Sequence, residues 1–189
     1  MAELRVQPTA TAQWRELVGE AARRCGLRLD DELESYLVFL LMRFTSRPDM
    51  AATVLALEFL QSMYEHGSRQ EQQLRNVGDQ CLLYSGLFPL RARRRRVQIR
   101  YYVDMGRSAY QQLSSSVERG WAGLFGRLAQ RFVPLMDVLQ AMRVEHDPVS
   151  GDLLALHELR DDCGSAAAGR RLRERFGGAL AHGPGRRRH

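Results

Sequence analysis

The sequence predicts an all-α fold, a single-domain bundle of six or seven helices with a short disordered basic C-terminus, and three observations support this prediction. Apolar residues recur at helical spacing along most of the chain, whereas alternating strand patterns are sparse. Capping residues and glycines bracket the successive apolar stretches. The length of 189 residues and the 44% content of hydrophobic residues suit one domain that buries its own core.

Three predicted helices occupy the N-terminal third of the chain. Residues 12–25 carry apolar side chains at helical spacing and form the first of them. Asp31 and Glu34 form a capping box that opens the second, which is apolar on nearly every side from Leu33 to Phe44. The third runs through residues 50–63. Because helices that are apolar all round are normally buried, we expect the second and third at the centre of the bundle.

The remaining helices follow turn and capping signals. A fourth helix opens with the capping box of Ser68 and Glu71, and a fifth covers about 95–115, with Tyr101 on its inner stripe and a serine turn after it. Pro134 should kink or split the sixth helix. Two short helices are predicted near 152–160 and 165–177.

Charge is distributed unevenly along the chain. All 28 basic residues are arginine; residues 1–162 contain 21 of them and 21 acids, whereas residues 163–189 contain seven arginines and one acid, Glu174. We therefore divide the chain into a helical bundle domain, 1–162, and an arginine-rich C-terminal helix and tail, 163–189. The neutral body is not a nucleic-acid binder by bulk charge.

The cysteines and the apolar runs indicate a cytoplasmic protein. Cys25, Cys81 and Cys163 are odd in number and widely spaced, which is typical of reduced thiols and not of a disulfide framework or a zinc site. The start of the chain has no secretory signal, and the longest apolar run, residues 36–42, is too short to cross a bilayer. The acids and histidines of 146–163 lack ligand spacing, so we predict no metal and no cofactor.

Tyrosines, aspartates and arginines are densest between residues 75 and 113. Arg100, Asp104 and Arg107 are spaced to form a ladder of ion pairs on one helix face. The tyrosines and aspartates are compatible with a polar layer that fixes how two helices pair, or with a ligand pocket if the fourth and fifth helices are antiparallel. The residues of this candidate pocket are Asp79, Tyr84, Tyr101, Tyr102, Asp104, Arg107 and Tyr110.

The same stretch resembles a pattern of uncharacterised bacterial helical proteins. The pattern reads VGD-x-x-L, then SGLFP, then YY-x-x-x-G-x-x-AY, and its residues lie between Val77 and Tyr110 in this sequence. The resemblance implies a helical fold and brings no established activity with it.

An arginine run precedes the fifth helix. At the positive N-terminal end of a helix such a cluster is unfavourable unless an anion lies nearby. The anion could be an acidic segment of this chain such as 30–34, an acidic protein, or a nucleic-acid backbone. The candidate partner- or anion-binding residues are Arg91, Arg93, Arg94, Arg95, Arg96 and Arg100.

Gly120, Gly123 and Gly126 recur at every third position of the sixth helix. A row of small residues lets another backbone approach closely. This pattern favours tight helix packing inside the domain, and the alternative is the seam of a homodimer.

The sequence contains no nucleophile elbow, phosphate-binding loop or zinc-protease motif, which favours a non-enzymatic role. The first hypothesis is a protein-interaction or regulatory module that binds an acidic protein partner through the arginine-rich helix bend. The second is a nucleic-acid-associated protein that uses Arg91–Arg96 and the basic tail, where Arg170, Arg171, Arg173 and Arg175 surround one helix. The third is a small-molecule binder or enzyme with the Tyr/Asp pocket at 79–110.

Overall fold

The computed structural model describes residues 9–47, 65–89, 97–143 and 153–181. These residues form α-helices and no strand, which confirms the all-α fold. The predicted third helix at 50–63, the run Arg91–Arg96 and residues 182–189 lie outside the described residues. The helices are α1 (Ala10–Arg24), α2 (Asp31–Ser46), α3 (Ser68–Leu87), α4 (Ile99–Ser116), α5 (Arg119–Gln130), α6 (Phe132–Ala141), α7 (Leu153–Asp161) and α8 (Ala166–Ala181).

The described residues contain eight helices, whereas six or seven were predicted for the whole chain. One reason is that the predicted sixth helix is split, as Pro134 suggested: α5 ends at Gln130 and α6 begins at Phe132. Pro134 lies in the first turn of α6, where a missing N–H removes no helical hydrogen bond.

Two helix starts and one helix end differ from the prediction. The N-cap of α2 is Asp30, not Asp31, and its carboxylate accepts a hydrogen bond from the Leu33 N–H at 2.9 Å. The N-cap of α3 is Gly67 at φ +65°, which places Ser68 inside the helix. The serines at 114–116 belong to α4, and each hydroxyl donates a hydrogen bond to a carbonyl about one turn earlier.

Within the described structure the central helix is α3, not α2. Every residue of α3 from Val77 to Gly86 is buried, including the polar side chains of Asp79 and Ser85. Helix α2 buries one side only, and Phe39 in its middle is 61% exposed. The apolar content of α2 therefore overstated how fully the helix is enclosed.

Two glycines allow α3 to lie at the centre. A Cβ atom added at Gly78 would stand 2.5 Å from the Tyr110 ring, and one at Gly106 would stand 2.5 Å from the Phe132 ring. Such distances are far inside van der Waals contact, so any larger residue would push the neighbouring helices apart. Helix α3 is therefore buried because its neighbours approach it closely at these glycines, and not because its composition is apolar.

The predicted close packing at the glycine row of α5 is wrong. A Cβ atom added at Gly120 or Gly126 would meet no neighbouring group of the described residues within 4 Å. One added at Gly123 would meet only the end of the Arg127 side chain, at 4.0 Å. The row therefore faces away from the rest of the described bundle. The alternative, a homodimer seam, stays a prediction.

Helices α3 and α4 run antiparallel, since Asp79 meets Tyr110 while Tyr84 meets Tyr102. The C-terminal helix joins the same core, in which Ala168 and Leu172 are buried. Across the residues described, none of the helices combines the length and the apolar character that a bilayer crossing requires.

Candidate functional site

A buried aspartate organises a polar layer between α2, α3 and α4. Asp79 is 1% exposed, and its Oδ1 accepts hydrogen bonds from the Tyr36 hydroxyl at 2.5 Å and the Tyr110 hydroxyl at 2.7 Å. Its Oδ2 accepts a hydrogen bond from the Arg43 guanidinium. We call Asp79, Tyr36, Tyr110 and Arg43 the polar layer. Both oxygens of the carboxylate are used within the fold.

The environment keeps both tyrosines of the polar layer protonated. Burial, and then the neighbouring charge of Asp79, raises the pKa of Tyr36 and that of Tyr110 well above the ordinary value. Arg75 lies at the edge of the layer, with its Nε 3.9 Å from Asp79 Oδ2 and its guanidinium 5.6 Å from the centre of the Tyr36 ring.

The structure separates the other residues of the candidate Tyr/Asp pocket from Asp79. Tyr84 and Tyr102 are buried and stack on each other with ring centres 5.3 Å apart. Tyr101, expected on the inner stripe of its helix, is instead 44% exposed and meets Tyr102 edge-on at 5.7 Å. Asp104 and Arg107 line an open surface groove.

Of the candidate anion-binding arginines, only Arg100 lies within the described residues. It is exposed, and its Nε is 3.4 Å from Asp104 Oδ2, one turn along α4. In the described part of the chain no group of histidines, cysteines and acids is arranged to hold a metal ion. His157 and Asp161 share one face of α7, with their nearest atoms 3.8 Å apart.

Five arginines from three distant parts of the chain converge on one open groove. The groove has a volume of about 660 Å³ and lies where the ends of α1 and α6 meet the first turns of α8. Glu174 is the one carboxylate among the described residues that line it. We call this surface the basic groove, and its arginines are Arg24, Arg143, Arg170, Arg171 and Arg175.

A second buried aspartate holds the start of α8 in place. Asp137 on α6 accepts hydrogen bonds from the Ser165 hydroxyl at 2.6 Å and from the Ala167 N–H at 3.3 Å. The Ser165 hydroxyl in turn accepts from the Ala168 N–H at 3.0 Å. Burial raises the pKa of Asp137, while these hydrogen bonds oppose the rise. The first turn of α8 is thus fixed against α6.

Arg170 ties α8 to the end of α1. Its guanidinium donates a hydrogen bond to the backbone carbonyl of Cys25, the C-cap residue of α1, where a positive charge is favourable. The Cys25 thiol donates to the Asp137 carbonyl at 3.4 Å, and burial raises its pKa. Cys25 is therefore a buried thiol that packs in the core and is held in its protonated form.

Among the described residues that line it, the basic groove has more arginines than carboxylates. Burial and, next, the charge of the neighbouring Arg171 lower the pKa of Arg143. Arg24 is paired with Glu20 at 2.6 Å, outside the lining of the groove. Guanidinium groups that converge in this way bind carboxylate or phosphate oxygens through paired hydrogen bonds.

Sequence reasoning found part of the basic groove. The arginines of the C-terminal helix, among them Arg171 and Arg175, belonged to the hypothesis that the basic tail contacts nucleic acid. Arg24 and Arg143 carried no such signal, because they approach α8 only through the tertiary contacts of Asp137 and Arg170. The chain matches no family model, no curated protein and no solved structure.

Proposed function

We propose that this protein is a non-enzymatic interaction module whose basic groove binds an acidic segment of a protein partner. The convergence of five arginines on one 660 Å³ groove, with one carboxylate among the described residues that line it, supports this proposal. The buried hydrogen bond of Asp137 to Ser165 and the partly buried contact of Arg170 with Cys25 fix the start of α8, which carries three of the five arginines. Preorganised cations bind an anion with less loss of side-chain entropy.

The shape of the basic groove favours a short acidic segment over a long polyanion. Residues 1–162 carry no net charge, and the groove is a compact cluster instead of a stripe along the molecule. A nucleic-acid backbone would need cations spaced along its path. Arginine also suits carboxylates, whose two oxygens match the guanidinium fork.

The test measures the binding of a short fluorescein-labelled oligoglutamate by anisotropy at about 50 and about 200 mM salt. The groove variant replaces Arg143, Arg171 and Arg175 together by serine. We expect its affinity for the peptide to fall by about tenfold to a hundredfold, because each lost guanidinium removes a charge-assisted contact.

The matched control removes the same charge from the outer surface. Arg119, Arg131 and Arg173 are exposed and do not line the basic groove, and Arg173 lies on α8 itself. Serine at these three positions should leave peptide affinity within about twofold. An equal loss in both variants would mean that only total charge matters, and the proposal would be wrong.

Nucleic acid is the alternative partner, and the same assay distinguishes it from an acidic protein segment. A single-stranded DNA of the same length and charge as the peptide should bind more weakly at the higher salt concentration. Tighter DNA binding that the groove variant loses would assign the site to nucleic acid instead. Loss of peptide binding on replacing Arg93–Arg96 by serine, with the groove variant unaffected, would place the binding surface at the arginine-rich bend.

A further inference from the structure

A second open groove lies between α2, α3 and α5, away from the arginines of the basic groove. Its volume is about 700 Å³, within the range of small-molecule sites. Two large aromatic side chains face it while remaining mostly exposed: Phe39 is 61% and Trp121 is 60% exposed. Leu124 and Tyr36 complete its apolar lining. We call it the aromatic groove.

One cationic group lies in this apolar lining. Arg75 lines the aromatic groove and also an adjoining groove of about 300 Å³, which shares Trp121 with it. The Arg75 side chain is 43% exposed, so its guanidinium is accessible from the groove. A cation set among aromatic walls is the arrangement that orients an amphipathic anion.

The polar layer attracts Arg75 through the charge of Asp79 and the Tyr36 side chain, but it accepts no hydrogen bond from the Arg75 Nε. Asp79 uses Oδ1 for its two tyrosine hydroxyls and Oδ2 for Arg43, which leaves Arg75 Nε at 3.9 Å, beyond hydrogen-bond distance. That Nε is buried and has no hydrogen-bond acceptor among the described residues. Two arginines therefore share the carboxylate of Asp79, Arg43 through a hydrogen bond and Arg75 at a longer distance.

We propose that the aromatic groove binds a small organic acid with an aromatic body and a single carboxylate, and that the carboxylate contacts Arg75. The aromatic body would pack between Phe39 and Trp121, which removes exposed apolar surface from water. The site is distinct from the basic groove, so this inference goes beyond the proposed function.

The rim of the aromatic groove limits the ligand to one negative charge. Asp31 and Glu32 both line the groove, and Glu32 is paired with Arg127, which does not line it. A second carboxylate on the ligand would meet these acids and be repelled. The acidic segments that suit the basic groove are excluded here by the same repulsion.

Three naphthalene probes of one size test the proposal by titration calorimetry: 2-naphthoate, neutral 2-naphthalenemethanol and the cation 2-naphthylmethylammonium. We expect naphthoate to bind about tenfold tighter than the alcohol, because only the anion forms a charge-assisted contact. Arg75→Met should lower naphthoate affinity to that of the alcohol without changing alcohol binding. Arg75→Lys should restore part of the difference, and Trp121→Ala should weaken both probes.

If the Arg75→Met variant still binds 2-naphthalenemethanol, its aromatic groove is correctly folded. The matched control is Arg69→Met, which removes an exposed arginine of the same helix that does not line the groove, and it should leave both affinities unchanged. Equal binding of anion and alcohol, tighter binding of the cation, binding of none of the probes, or the same loss in both methionine variants would overturn the proposal. The proposal would also be overturned if the protein self-associates and Trp121→Ala abolishes the self-association, because a second copy of the chain would then occupy the aromatic groove.

Discussion

The polar layer and the basic groove both depend on a buried aspartate. In the polar layer the aspartate accepts a hydrogen bond directly from an arginine, whereas in the basic groove it does not. Asp79 accepts hydrogen bonds directly from Arg43 and two tyrosines, and its charge is used within the fold. Asp137 accepts from Ser165 and a backbone N–H instead. Its neighbouring arginines are left to line an open groove.

This difference indicates what each region does. A buried ion pair whose members satisfy each other contributes to the fold and offers nothing to a ligand. A cluster of cations positioned by hydrogen bonds to other groups retains its capacity to bind anions. The two regions should therefore respond oppositely to substitution, in stability for the polar layer and in binding for the basic groove.

The largest effect is expected at Asp79. Asp79→Ala should lower the free energy of unfolding by about 3–5 kcal/mol, because it leaves Arg43 without its buried counter-charge. Urea denaturation followed by circular dichroism measures the change. Asp104→Ala, at an exposed position on α4, is the control and should change stability by less than about 0.5 kcal/mol. Similar losses at the two aspartates would remove the contrast between the two regions.

The close packing of α3 against Tyr110 of the polar layer depends on Gly78. Gly78→Ala should cost about 1–3 kcal/mol, because its Cβ would stand 2.5 Å from the Tyr110 ring and force overpacking. Gly126→Ala, also within a helix but with open space around it, should instead stabilise the protein by about 0.5–1 kcal/mol. Thermal unfolding of both variants gives the comparison, and a stabilising Gly78→Ala would contradict the packing.

The hydroxyl of Tyr110 should contribute a smaller amount. Tyr110→Phe keeps the ring against Phe125 but removes the 2.7 Å hydrogen bond to Asp79, at a cost of about 1 kcal/mol. Tyr101→Phe, at a half-exposed position, should have almost no effect. Chemical denaturation of the two variants side by side tests whether the polar layer needs each of its donors.

The contribution of Asp137 to the free energy of unfolding should depend on pH. Its folded pKa is raised by burial, so the folded state holds this proton more tightly than the unfolded chain, whose aspartates titrate near about 3.9. Between that value and the raised pKa, stability should therefore fall as pH increases. Asp137→Asn removes this dependence, and its stability relative to the wild type should rise with pH across that window. A difference that falls or stays flat with pH would argue against the raised pKa.

The smallest change in stability is expected in the basic groove. Arg171→Ser should leave the free energy of unfolding within about 0.5 kcal/mol, with any gain at low salt disappearing as salt screens the repulsion from Arg143. Unfolding measured at low and high salt tests this directly. A clear loss of stability would show that Arg171 serves the fold and would weaken the case for a binding groove.

Helical spacing predicted most of the fold. The apolar periods located the described helices to within a few residues, and Pro134 marked the split between α5 and α6. The identity of the central helix was missed, because α3 is polar in composition and is buried through Gly78 and the hydrogen bonds of Asp79. On α4 the predicted inner stripe is buried at Met105, Ala109 and Leu113, but Tyr101 is exposed and Tyr102 is buried in its place.

The sites were harder to predict than the helices. Asp79 was identified as a candidate, but Tyr36 and Arg43 were not, because both lie on α2, whose apolar content hid its polar face. The basic groove joins residues from opposite ends of the chain. Periodicity reports the faces of single helices and carries no information about which distant faces meet.

Arg170 contacts the carbonyl of Cys25 across 145 residues of sequence. Contacts at such separation form only after the intervening chain has been synthesised and has largely folded. A ribosome-bound chain that has not yet released α8 would thus possess the polar layer's residues but no basic groove. Under the proposed function, such a chain would not yet be able to bind the acidic partner.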